Sequence, residues 1–204
     1  MNPPSSQGGI RSFIAIELPD EVKRELAQLS RELGKAEYPF VKWVDTENIH
    51  LTLKFLGNIP PGQVAKITEA IKEAVRGKSP FQLEISKLGA FPGVNQPRVI
   101  WIGVGGETDR LLELQRDIDS RLVPLGFAPE KQSFVPHLTI ARVRENASTD
   151  DRKALGRLLA STGFDSQERI AVDSINVDSI KLMRSQLTPE GPVYSLLSVV
   201  ALAK

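Results

Sequence analysis

The sequence predicts an α+β fold in which two pseudo-symmetric lobes of antiparallel sheet, with flanking helices, surround a central cleft. Three observations predict it. Apolar spacing switches repeatedly between the two-residue period of a strand and the three-to-four-residue period of a helix. The order strand, helix, loop, strand occurs twice: a shift of 87 residues lays residues 13–16 over residues 100–103, and His50-Leu51-Thr52 over His137-Leu138-Thr139. Two late strand-like stretches, 175–182 and 194–202, are available to complete the sheets.

In chain order, residues 1–9 read as a flexible tail, and residues 10–204 as one bilobal domain with half motifs over 10–57 and 98–143. Residues 10–18 form a strand on the strength of Phe13, Ile14 and Ile16. Asp20 after Pro19 is an N-cap candidate for a helix carrying Val22, Leu26, Leu29 and Leu33 to a stop at Gly34. A short strand follows at 41–44, and the first His-Leu-Thr lies in a strand running to Gly57. A helix from Pro61 buries Val64, Ile67, Ile71 and Val75 and closes at Gly77. Phe81, Leu83 and Ile85 alternate as in a half-buried strand. The second round begins with a strand at 99–104, then a helix through Leu111, Leu114, Ile118 and Leu122, then the second His-Leu-Thr strand. A further helix covers 150–160.

At 204 residues with 41% hydrophobic and 25% charged side chains, the chain has enough apolar surface for a core. Its 26 basic and 25 acidic side chains leave a net charge of +1, which argues against an extended duplex nucleic-acid footprint but allows a local basic pocket. Cysteine is absent, so disulfides, thiolate metal sites and a cysteine nucleophile are excluded. No apolar run approaches the length of about eighteen residues that a membrane helix needs, and the N-terminal stretch lacks the pattern of a signal peptide. The expectation is a cytoplasmic monomer with no membrane association and no obligate protein partner.

The histidines carry the chemistry. The chain has only 2, and both stand two places before one of its 8 threonines, an arrangement that chance gives in roughly one of several hundred cases. Residues i and i+2 of a strand share a face, so each motif offers an imidazole beside a hydroxyl while its leucine anchors the strand on the other side. Histidine titrates nearest neutrality, and a matched pair supplies one proton acceptor and one proton donor. Such a site suits phosphodiester hydrolysis: one imidazole activates water, the other protonates the departing oxygen, and Thr52 and Thr139 donate to the non-bridging oxygens. Two histidines without Cys or a HExxH spacing make a poor metal set, so no metal and no cofactor are expected.

Two HxTx motifs about ninety residues apart resemble the 2H phosphoesterase superfamily. More narrowly, the chain is similar to the bacterial and archaeal RNA 2′,3′-cyclic phosphodiesterases, also called 2′-5′ RNA ligases. The matching stretches are Phe13-Ile14-Ala15-Ile16-Glu17-Leu18-Pro19, Trp43-Val44, the run from His50 to Gly57, Phe91-Pro92, Pro97-Arg98-Val99-Ile100-Trp101, and the run from Phe134 to Val143. The resemblance implies metal-independent opening of a 2′,3′-cyclic phosphate on RNA ends or small nucleotides to the 2′-phosphomonoester. It further implies His50 as donor to the leaving 3′ oxygen, His137 as acceptor from water, Thr52 and Thr139 as phosphate contacts, and Arg142 as a further one. The same site could run the ligation of RNA ends, or serve a nucleotide- or RNA-binding module without turnover.

Arg142 lies five residues after His137 and points away from it in an unbroken strand, so either a bulge or the strand's end re-aims it or it is not a ligand. Phe55 occupies the corresponding place in the first motif. Phe134 is the stacking candidate for a nucleobase, whereas Phe55 and Trp101 are expected in the core and Lys54 in solvent. Arg98, Lys131 and Arg144 are candidates for local positive charge. In the tail the resembling family often carries an aromatic near a Ser; Met183-Arg184-Ser185 here departs from that and weighs against a base contact.

Overall fold

The structure, a computed structural model, describes residues 9–35, 38–161, 174–189 and 191–203. The tail expected over residues 1–9 lies, Gly9 apart, outside them. Strand β1 (Ile10–Glu17) buries Phe13, Ile14, Ala15 and Ile16, and helix α1 (Asp20–Gly34) seats Val22, Leu26 and Leu33 in the core. Asp20 does not cap this helix. Pro19, held at φ −59° and ψ 153°, takes the N-cap position, and Asp20 is the first helical residue, its carboxylate lying at the positive end of the helix dipole.

Strand β2 (Val41–Trp43) is followed by β3 (His50–Ile59), which carries the first motif. The helix expected from Pro61 opens as a 3₁₀ turn over Pro61–Gln63 and becomes α2 (Val64–Val75), burying Ile67, Ile71 and Val75. Strands β4 (Phe81–Phe91) and β5 (Val99–Gly106) precede α3 (Thr108–Leu122), which buries Leu111, Leu114, Ile118 and Leu122. Strand β6 (His137–Val143) carries the second motif, and α4 (Thr149–Ser161) follows it.

The stretch 175–182, expected as one strand, is divided at Asp178 into β7 (Ile175–Val177) and β8 (Ser179–Leu187); β9 (Pro192–Ala201) ends the chain's regular structure. The strand order is β7-β4-β5-β6-β3-β1-β8-β9, with β2 attached to β6, and the ladders are antiparallel. The split at Asp178 has a topological cause. β7 pairs with β4 while β8 pairs with β1, on opposite sides of the central β6–β3 seam. Segments one residue apart can serve both places only if the sheet curls, bringing its lobes around a cleft. Each half also lends a strand to the other: β4 follows the first motif but pairs with β5, and β8 follows the second but pairs with β1.

Leu51, Leu53, Leu138 and Ile140 of the two motif strands are buried in the same apolar cluster as α1, α2 and α3. Full burial of such a side chain contributes about 1.5–3 kcal/mol. The motifs are therefore set on strands anchored in the core. Among the described residues no helix is long and apolar enough to cross a membrane.

Candidate active site

Strands β3 and β6 meet at one ladder pair among the described residues, Leu51 opposite Leu138. These are the central residues of the two tripeptides. Antiparallel register then sets His50 across from Thr139 and Thr52 across from His137. With both leucines buried and all four polar residues half-buried, the two His-Thr pairs share one face. Diagonal neighbours in such a ladder lie about 7–8 Å apart, a span that admits a phosphate between the two imidazoles.

A pair of bulges sets the rest of the face. Along β6 the pairing to β5 passes from Trp101↔Thr139 to Ile100↔Ala141, leaving Ile140 as the extra residue. Ile140 and Ala141 are both buried, so alternation slips by one and Arg142 returns to the His137 face, where it lines the cavity. Strand β3 does the same against β1: the pairing passes from Ala15↔Thr52 to Ile14↔Lys54 and skips Leu53. There the slip brings out Phe55, which is not in the core as expected but 63% exposed on the cavity wall. It also turns Lys54 inward. Lys54 is buried, ion-paired to Asp119, 2.9 Å from the Ala128 carbonyl it donates to, and 3.6 Å from Glu130. A lysine expected in solvent thus ties β3 to α3 and to the loop before the second motif.

Both imidazoles are oriented in the same way. His50 Nδ1 is 2.8 Å from the carbonyl of Asn48, and His137 Nδ1 is 2.7 Å from the carbonyl of Val135. A carbonyl only accepts, so Nδ1 carries the proton in each ring and Nε2 is left for the cavity. The carbonyl of Asn48 is itself fixed by a 3₁₀ turn, Thr46–Asn48, in which Asp45 accepts from the Glu47 amide at 3.1 Å. Asn48 in turn donates its side-chain amide to the Pro192 carbonyl of β9 at 3.2 Å.

The surroundings of the rings differ. His50 stacks on Phe13 with centroids 4.6 Å apart and receives the edge of Tyr194 at 5.2 Å. Burial in this aromatic enclosure pushes its pKa down, and the hydrogen bond to Asn48 only partly opposes that. His137 meets Phe91 edge-on at 5.0 Å and Trp101 at 6.1 Å. Trp101 is half-buried and not in the core interior: its ring lies over Gly89, where an added Cβ would sit 2.2 Å from it.

The two His-Thr pairs open into a cavity of about 1020 Å³. Arg98, Arg142 and Phe134 line it with them, while Lys131 and Arg144 do not contribute to its wall. Reading the sequence missed Arg11, Phe13 and Tyr194. Tyr194 faces Ser185 across the β8–β9 ladder, so an aromatic does stand by that serine, on the neighbouring strand and not in the Met183-Arg184-Ser185 run itself. Burial raises the Tyr194 pKa, against the opposing charges of Arg142 and Arg11. Among the described residues no three His, Cys, Asp or Glu side chains are grouped as metal ligands.

The chain is similar to known proteins in sequence and in fold. The family model described as LigT like Phosphoesterase matches residues 16–101 and again residues 102–194. An RNA 2′,3′-cyclic phosphodiesterase of Methanothermobacter thermautotrophicus is 34% identical over 193 residues, covering 95% of this chain and 99% of the relative. One from Aeropyrum pernix is 37% identical over 178 residues, covering 87% and 95%. Among solved structures, TT0787 of Thermus thermophilus superimposes with a TM-score of 0.73 at 25% identity, covering 95% and 98%. Escherichia coli LigT complexed with 3′-AMP superimposes with a TM-score of 0.71 at 22% identity, covering 96% and 99%, a likeness of fold.

Proposed function

Because the chain belongs to the LigT-like phosphoesterase family, we propose that it hydrolyses the 2′,3′-cyclic phosphate of RNA ends or nucleotides to the 2′-phosphomonoester, using His50 and His137 without a metal. The observation that carries this reading is the Leu51–Leu138 register, which sets two imidazoles and two hydroxyls on one face. The relatives' shared name, RNA 2′,3′-cyclic phosphodiesterase, supports the substrate class.

In this mechanism the phosphate lies between the histidines. His137 Nε2 accepts a proton from water as the water oxygen attacks phosphorus, and the bond from phosphorus to O3′ breaks on the opposite side. His50, as imidazolium, gives its Nε2 proton to O3′. One water is consumed, a 2′-monophosphate and a 3′-hydroxyl are formed, and proton exchange with solvent resets the pair. Thr52 and Thr139 donate to the non-bridging oxygens, and the Arg142 guanidinium offsets their charge. The lowered pKa of His50 suits a proton donor, because a weakly basic imidazole makes a stronger acid once the bound anion has charged it.

The test is turnover of a 2′,3′-cyclic mononucleotide by the wild-type chain and by His50→Ala and His137→Ala, with folding checked by circular dichroism. Each variant is expected to lose about 10²–10⁴-fold in kcat. Retained activity in both would remove the two-histidine mechanism, and tight binding without product would indicate a binding module.

A further inference from the structure

We propose that Arg11 forms a subsite for the phosphate on the 5′ side of the terminal nucleoside, so that the chain favours 5′-phosphorylated and oligonucleotide ends over a bare cyclic mononucleotide. The inference rests on the proposed hydrolysis for the orientation of the substrate. The leaving oxygen and its ribose belong on the His50 side, where Phe13, Phe55 and Tyr194 form an aromatic wall: Phe13 lies 6.2 Å from Phe55 and 5.0 Å from Tyr194.

Arg11 continues this wall. It stands two residues before Phe13 on β1, on the same strand face, about 7 Å further out along the strand. It lines the cavity and is exposed. It also has no carboxylate or hydrogen-bond partner among the described residues, in a chain that pairs many of its other cations, Lys23, Lys54, Lys78 and Arg110 among them. A cyclic phosphate carries one negative charge, and Arg142 already faces it. A second guanidinium, in the same cavity and further out along the strand that carries Phe13, matches a second phosphate. The cavity volume, at the upper end of the range for a small-molecule pocket, leaves room for that extension. Arg98, the third arginine of the cavity lining, lies just before β5, the strand that pairs with the His137 strand β6.

The experiment measures kcat/KM for a nucleoside 2′,3′-cyclic phosphate with and without a 5′-phosphate, and for the corresponding cyclic-ended dinucleotide. The 5′-phosphate is expected to raise kcat/KM about tenfold, as a charge-assisted hydrogen bond does. The plot of log kcat/KM against log salt is expected to steepen by about 0.7, the value for one phosphate contact on a single strand. Arg11→Gln should bring the ratio to near one and Arg11→Lys should keep part of it, while Arg98→Gln keeps the full ratio. A wild-type ratio near one, or a gain that survives Arg11→Gln, overturns the assignment. Binding of the nucleoside 2′,5′-bisphosphate against the 2′-monophosphate gives the same comparison without turnover. A chain that turns over neither cyclic compound yet shows an Arg11-dependent preference for the bisphosphate refutes the hydrolysis and upholds the subsite.

Discussion

Leu51 faces Leu138 across the seam between β3 and β6, the one ladder pair of these two strands among the described residues, and it lies at the middle of both motifs. Both side chains are buried, so the packing that holds the seam also fixes the spacing of His50 and His137 on its other face. A core residue here sets the geometry of the reacting groups.

Leu51→Ala should therefore act twice. Truncation at a buried leucine costs about 2–5 kcal/mol of stability, and the shifted seam should also lower kcat of the folded protein. Ile67→Ala, equally buried but on α2 and so outside both motif strands, should destabilise by a similar amount with kcat kept. Denaturant unfolding and turnover measured on both variants separate the two effects. Equal kcat in the two variants would detach the seam from the chemistry.

The aromatic enclosure of His50 predicts a pH dependence. Burial lowers its pKa, so in the free protein its acid form is populated only below the ordinary value of about 6.5. The alkaline limb of kcat/KM, which reports the free enzyme, should lie below that value. Bound anionic phosphate favours the imidazolium, so the limb in kcat should lie at higher pH. The folded state prefers neutral His50. Its contribution to stability is full above about pH 6.5 and is lost as pH falls through the lowered native value. Profiles of kcat and kcat/KM, with unfolding followed over the same range, check both statements.

Phe55 predicts a specificity effect without a stability effect. Its ring is 63% exposed on the cavity wall, and base stacking on such a ring is worth about 1–3 kcal/mol. Phe55→Ala should raise KM for cyclic nucleotides by roughly 5- to 100-fold with unfolding unchanged. Phe55→Trp should restore binding. Thermal unfolding beside the KM series checks this.

Lys54 predicts the opposite pattern. Removing one partner of a buried ion pair costs about 3–5 kcal/mol, so Lys54→Met should destabilise by that amount. Adding Asp119→Leu should recover most of the loss, since the stranded carboxylate is then gone. Urea unfolding of the two singles and the double forms the cycle that measures it.

Much of this architecture could be read from residues alone. The duplicated order and the matched tripeptides led to the two lobes, because burial and alternation are local signals that strands and helices cannot avoid. Local alternation failed where the strands bulge. Strict alternation puts Phe55 and Lys54 on the wrong sides of β3, since an extra residue at Leu53 leaves no mark in the sequence and appears only when β1 is laid beside it. The bulge at Ile140 is its counterpart; the position of Arg142 left a bulge, a strand end or a non-ligand arginine open, and only the pairing with β5 decides among them. Tyr194 and Arg11 were not seen because their relation to His50 runs through neighbouring strands. Asp20 lost the cap to Pro19 by one residue, a shift that helix-start signals do not resolve.

Ring opening by two histidines with no metal is best checked by identifying the product. The wild-type chain is incubated with a nucleoside 2′,3′-cyclic phosphate in excess EDTA, and the monophosphate formed is identified by phosphorus NMR. The expected product is the 2′-monophosphate alone, at a rate that EDTA leaves unchanged. Formation of the 3′-monophosphate, or loss of turnover on chelation with recovery on added metal, would contradict it.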